Sequence, residues 1–172
     1  MNRKHTGFTL IELMVVLAIA AILLTLAVPS FRSTIQNNRI ATQANELVST
    51  LQLARGEAIK RGLRITVCIS TDQATCTGTN WAGGWIAFAD VNANGNVDAG
   101  DALLKVGGAL NGGSTLTSAG FANATRIQYQ PSGFSDSAGT FSLSIPGCTG
   151  NEVRAINVAS TGRVGISRSA CP

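Results

Sequence analysis

Charge is scarce in this 172-residue chain: Asp, Glu, Lys and Arg make up 13% of it, against 45% hydrophobic residues. That balance is high in apolar content for a soluble protein, and one segment, residues 8–28, explains much of it. Histidine is nearly missing, with only His5 near the N-terminus. The four cysteines, Cys68, Cys76, Cys148 and Cys171, show no Cys-x-x-Cys spacing, so no zinc ligand set is available. The body of the chain equally lacks a Ser–His or Cys–His nucleophile pair. The glycine-rich stretches carry no Gly-Lys-Ser/Thr and no strand-to-helix setting, which excludes a phosphate loop. Asp98 and Asp101 fall in a polar turn, a poor place to raise a carboxylate pKa for acid catalysis. No catalytic residue and no cofactor are expected, and the chain reads as a non-enzyme. Proline is also rare, four residues against 19 glycines. With frequent Ser, Thr and Asn, that points to many turns and short strands. Neither an internal repeat nor a long flexible linker is visible.

The N-terminus is the most informative stretch. Arg3 and Lys4 precede Gly7, and an apolar run then extends from Phe8 to Val28 with one charge inside it, Glu12. That run is 21 residues, about 32 Å of helix at 1.5 Å per residue against a hydrocarbon core of ~30 Å. A carboxylate in such a helix costs roughly 2.5–3.5 kcal/mol on insertion scales, so something must offset it. The basic end is expected to stay cytoplasmic, with the remainder outside.

Gly7-Phe8-Thr9-Leu10-Ile11-Glu12 resembles the start of type IV prepilins and type II secretion pseudopilins. The resemblance implies a leader over 1–7 that a dedicated peptidase removes by cutting between Gly7 and Phe8, with N-methylation of Phe8. It also gives Glu12 a role, pairing with the amine of Phe8 on an adjacent subunit. The physics is sensible, because a charge pair in low dielectric relieves two otherwise unpaired ions. Without Arg3 and Lys4, 11 Lys+Arg stand against 9 Asp+Glu, a balance of only +2, so the basicity argues weakly for nucleic acid. A signal anchor tethering a periplasmic domain is the bland alternative, and it leaves Glu12 unexplained.

Residues 8–29 are expected to form a transmembrane and polymerisation helix, with Pro29 where pilins carry a kinking proline. Residues 30–62 continue as an amphipathic helix. Ile40, Ala44, Leu47, Leu51, Ala54 and Ala58 recur at spacings of four and three, one apolar stripe suited to packing on a sheet. Lys60 and Arg61 fall in the last turn, and Gly62 is the expected C-cap.

From Leu63 the period becomes two. Leu63, Ile65, Val67 and Ile69 predict a strand with one buried face. Further strands are expected at 85–89, 102–106, 126–130, 140–145, 153–159 and 163–167, the last two forming a hairpin about Ser160-Thr161-Gly162. The stretch 107–120 reads as a mobile loop. The fold class is α+β: a long N-terminal helix on a mostly antiparallel β-sheet head over 63–172, forming one globular domain with 30–62. Four cysteines allow three pairings, and Cys68–Cys76 with Cys148–Cys171 is preferred because each closes one local loop in an exported domain. Free buried thiols are the alternative.

Gly84-Trp85-Ile86-Ala87-Phe88, the Asp90–Asp101 loop and Ala155-Ile156-Asn157-Val158 before Gly162-Arg163-Val164 are similar to the GspH/FimT group of minor pilins and minor pseudopilins, FimU-like members included. That resemblance implies a low-abundance subunit that primes or caps a filament. The expected partners are other minor and major pilins, the prepilin peptidase and methyltransferase, and the inner membrane. The expected location is single-pass in that membrane with a periplasmic head, then the tip of a pilus or pseudopilus. A minor pilin of a type IV pilus is the first reading, an H-type pseudopilin of type II secretion the second, and a DNA receptor for transformation the third.

Two constellations bear on ligands. Asp90 to Asp101 places oxygen side chains at positions 1, 3, 5 and 9 and glycine at 6 of a calcium-loop template, though Asp101 replaces the usual glutamate and no helices flank it. A tight turn of Asx residues bonding their own backbone accounts for the same pattern. The second is Gly162-Arg163-Val164-Gly165, where the resembling DNA-binding motif carries a second arginine in place of Gly165. Arg163, Arg168 and Arg154, extended by Arg126, are the candidates for weak, non-specific, salt-sensitive DNA contacts.

Overall fold

The apolar period that runs through Ala58 stops at Gly62, and the backbone changes there. Gly62 takes φ 64° and its N–H donates to the Ala58 carbonyl at 3.0 Å, closing the helix as the sequence led one to expect. The computed structural model describes residues 7–171, with the side chains of 26–30 and 32 outside that description. The chain divides into two units, Met1–Asn38 and Arg39–Pro172, and helix α1 (Leu10–Arg61) contributes residues to each.

Met1–Asn38 is helical from Leu10, and α1 continues as helix through Pro29. The leader residues 1–6 lie outside the described residues. Leu10, Ile11, Leu13, Leu17, Ile22 and Leu24 are all more than half exposed. Among the described residues no helix is long and apolar enough to cross a membrane; the span expected over 8–28 runs into residues 26–28, whose side chains lie outside that description.

Arg39–Pro172 combines the rest of α1 with eight strands: β1 (Arg64–Ile69), β2 (Trp85–Asp90), β3 (Ala102–Gly107), β4 (Thr115–Ala119), β5 (Arg126–Tyr129), β6 (Gly139–Ser144), β7 (Val153–Val158) and β8 (Val164–Ser169). They form two four-stranded antiparallel sheets, ordered β3-β2-β1-β5 and β4-β6-β7-β8. The architecture is therefore α+β, a helix packed on antiparallel sheets. Ile40, Ala44, Leu47, Leu51, Ala54 and Ala58 are each at most 1% exposed and share one core with Val67, Trp85 and Tyr129 of one sheet and Phe141, Leu143 and Ile156 of the other. Burying each of the larger side chains contributes roughly 1.5–3 kcal/mol.

Two expectations need correction. β1 has both faces buried, because Cys68 on its outer side packs with Ile86 and Phe88 of β2 under Cys76 and Val97. The stretch 107–120 is not one loop: it contains β4, paired along its length with β6, and Gln43 Nε2 on α1 donates to the Asn111 carbonyl at 3.0 Å. Glycine is required beside Trp85. A Cβ on Gly84 (φ 115°) would lie 2.8 Å from the Gly107 carbonyl oxygen, and one on Gly107 would lie 2.2 Å from the indole. The absence of a Cβ at Gly107, opposite Trp85 on β3, leaves room for the indole, which donates from Nε1 to Thr50 Oγ1 at 3.2 Å.

Candidate assembly and binding sites

At the start of α1, Thr9 caps the helix. Its Oγ1 accepts the Glu12 N–H at 3.3 Å and its carbonyl accepts the Leu13 N–H at 3.2 Å. Thr9-Leu10-Ile11-Glu12 is a Ser/Thr-x-x-Glu capping sequence, the signal in the sequence that marks this helix start. Glu12 thus sits in the first turn, where a carboxylate is favoured by the helix dipole. Its side chain is exposed and makes no hydrogen bond or ion pair among the described residues. Phe8 is 85% exposed and Gly7 precedes it in open surroundings. Over 10–24, Glu12 is the one carboxylate among exposed apolar side chains.

The Asp90–Asp101 loop is a closed hydrogen-bond network. Asp90 is 1% exposed, and its Oδ2 accepts from Thr66 Oγ1 at 2.7 Å, Gly95 N–H at 2.9 Å and Gln128 Nε2 at 3.1 Å. Its Oδ1 accepts the Asn94 N–H at 3.0 Å. Asp101 accepts the N–H groups of Val91 and Asp98 at 3.0 and 2.9 Å, and Asp98 accepts the amides of Asn92 and Asn94 at 2.9 and 2.6 Å. The bond from Asn92, with that from Asn94, holds the Asp98 carboxyl below the usual range. Each carboxylate is thus committed to N–H or O–H donors, and among the described residues the three do not converge on one ion. The turn reading describes this loop. The His/Cys/carboxylate cluster that does converge, Cys148–Glu152–Cys171, has both sulfurs bound to each other.

The structure joins Cys68 to Cys76 and Cys148 to Cys171. The first bridge closes an Asx turn in which Asp72 accepts from the Thr75 hydroxyl, the Thr75 N–H and the Ala74 N–H, bonds that hold its carboxyl far below the usual range. The second bridge ties the segment after β8 to the β6–β7 connection.

The candidate arginines do not form one patch. Arg154 on β7 faces Arg168 on β8 directly across the ladder. Arg163 lies in the hairpin turn at the opposite end of β8, about 17 Å away at ~3.3 Å per residue. Arg126 is engaged elsewhere: it donates to the Asn94 and Gly95 carbonyls at 3.4 Å. Arg154 is 6% exposed and donates to the Glu152 carbonyl at 2.8 Å. Burial and then the neighbouring Arg168 charge lower its pKa, with Glu152 opposing. Arg163 lines a groove of about 290 Å³ with Gln52, Arg55, Gly56 and Ile59 of α1. Arg55, unnoticed in the sequence, donates from Nε to the Gly133 carbonyl at 3.0 Å. Gly162 (φ 76°) abuts that carbonyl, where a Cβ would lie 2.0 Å from the oxygen.

Comparison with known proteins places this geometry. Residues 43–162 match the family model for the type II transport protein GspH, and residues 2–28 match the prokaryotic N-terminal methylation motif. The chain is 36% identical over 97 residues to the pilin-like protein PilA1 of Thermus thermophilus, covering 55% of this chain and 54% of that one, so it spans about half of that relative's length. It is 29% identical over 129 residues to the type IV major fimbrial protein FimA of Dichelobacter nodosus, covering 74% of this chain and 68% of FimA. In fold it is similar to the type IV minor pilin FimU of Pseudomonas aeruginosa, with TM-score 0.60, 20% identity and coverage of 77% and 90%. It is also similar to the minor pseudopilin EpsH of the Vibrio cholerae type 2 secretion system, with TM-score 0.55, 17% identity and coverage of 76% and 97%.

Proposed function

The chain belongs to the GspH family of type IV pilin-like proteins, and on that premise we propose that it is a minor pilin taking part in priming and tip assembly of a type IV pilus. Glu12 carries the reading: one unpartnered carboxylate in the first turn of an exposed apolar helix. In the proposed assembly, cleavage between Gly7 and Phe8 exposes the Phe8 amine, which is then methylated. Methylation leaves that amine basic, so it pairs with Glu12 of a neighbouring subunit once both are removed from water. The Phe8–Val28 segment holds the chain in the inner membrane before assembly, with the head in the periplasm. The head supplies the surface that distinguishes one subunit from another. No chemistry is assigned to the chain; it is the substrate of the peptidase and methyltransferase.

The GspH match and the likeness to EpsH favour a second reading, a minor pseudopilin of type II secretion. A third, DNA reception during transformation, draws only on Arg163, Arg168 and Arg154, and the register separates the first from the other two. A deletion strain scored together for surface pili, secreted enzymes and transformation tests all three. Loss of pili with normal secretion supports the pilus reading, and the reverse overturns it in favour of the second. Loss of transformation alone, with pili intact, favours the third.

A further inference from the structure

The four sheet edges of the head are treated differently. β5 is covered by its own chain, through the Tyr129–Ser135 bridge and the Asp136 N–H on the Gln128 carbonyl at 2.9 Å. β3 is irregular, with a register shift against β2, and its Lys105 reaches Ser49 on α1. β4 is short and lies against the turn at Trp81. These are devices that blunt an edge. β8 is neither covered by its own chain nor irregular: six residues in unbroken register with β7, mostly exposed, with Ile166 46% exposed.

The Ala159 N–H bonded to the Arg163 carbonyl at 2.9 Å fixes which backbone groups are free. Antiparallel bonding alternates, so Gly165, Ser167 and Ser169 face β7, while the N–H and C=O groups of Val164, Ile166 and Arg168 point to the open edge. Charge is distributed along the same edge. Arg163 stands at one end, and Arg168, faced by the nearly buried Arg154, stands at the other. Among the described residues none of the three arginines is in an ion pair, and the nearby Glu152 carboxylate accepts the Thr149 N–H. At its start the edge meets the groove lined by Arg55 and Ile59.

We propose that β8 is a docking edge for an extended segment of a partner protein, which adds to the sheet as a further antiparallel strand and carries acidic side chains opposite Arg168 and Arg163. An apolar residue of that segment covers Ile166. Main-chain bonds supply affinity and the alternate side chains supply selection. A second copy of this chain is the wrong occupant, since pairing β8 with itself would bring two more arginines to the edge. The inference rests on the head alone and is the same for a pilus or a secretion assembly.

The test is amide hydrogen exchange by NMR on the full chain in detergent micelles. The probe is a short synthetic peptide of alternating valine and threonine bearing two glutamates, compared with the same peptide bearing two lysines. At a peptide concentration about ten times its Kd, the Val164, Ile166 and Arg168 amides exchange about tenfold more slowly, while Gly165 and Ser167 are unchanged. The lysine peptide gives no protection, and Arg168→Glu, an exposed substitution that leaves the fold intact, reverses the preference. The proposal is overturned if the acidic peptide protects none of the three, if both peptides protect them equally, or if the three are already protected in the free protein. Arginines that merely keep other strands away would give the first of these results.

Discussion

One helix serves two kinds of surroundings. Over 40–58 its apolar stripe is at most 1% exposed, satisfied by two sheets of the same chain. Over 10–24 residues of the same apolar character are mostly more than half exposed. Local propensity does not separate the two stretches. The difference is where the cover comes from: over 40–58 it is the chain's own pair of sheets, and over 10–24 it is, in the assembly proposed above, the neighbouring subunits.

Truncating one leucine in each stretch sharpens the contrast most. Leu51→Ala is expected to destabilise the Arg39–Pro172 unit by about 2–5 kcal/mol, whereas Leu17→Ala changes its stability by less than ~0.5 kcal/mol. Denaturant unfolding of the two variants in micelles checks both, and equal losses would break the comparison. Next come the bridges. In the chain-entropy account, replacing Cys148 and Cys171 by Ser costs ~3.5 kcal/mol and replacing Cys68 and Cys76 ~2.5 kcal/mol, readable as an ordered pair of midpoints.

Acid gives a smaller effect with a definite sign. The Asp72, Asp98 and Glu57 carboxyls titrate below their ordinary values because Thr75 and Ala74, Asn92 and Asn94, and Arg61 respectively bond their charged forms. A depressed folded pKa contributes stability above the unfolded value, about 4, and that stability is lost as pH falls toward the folded value. The head's melting temperature is therefore expected to fall below about pH 4, and Asp98→Asn to flatten that limb slightly. Smallest is Arg168→Ala, which removes a like charge facing Arg154 and is expected to leave stability within ~0.5 kcal/mol of the parent or slightly above it.

The helix stripe was legible because six small or branched apolar residues kept strict spacing over five turns. The hairpin at 160–162 was legible from its glycine, and the local cysteine pairing from loop closure. β4 was not, since Thr115–Ala119 offers one large apolar residue, Leu116, between glycine-rich flanks. Burial of β1 on both faces was hidden too, because alternation along β1 does not show the cover that Val97, from the loop after β2, and the bridged Cys76 supply. In the candidate sites, the arginines looked neighbourly in sequence. Counting residues along β8 separates them, and it is pairing with β7 that brings Arg154 to Arg168.

The central claim, that the head stands by itself while the N-terminal helix is completed from outside, is tested most directly by Glu12→Ala. The measurement is co-isolation of the tagged full-length chain with other pilins from solubilised envelopes, read beside the melting temperature of its head. The account predicts loss of most co-isolated pilin with an unchanged melting temperature. Normal co-isolation of Glu12→Ala, or loss that tracks an unfolded head, would contradict it.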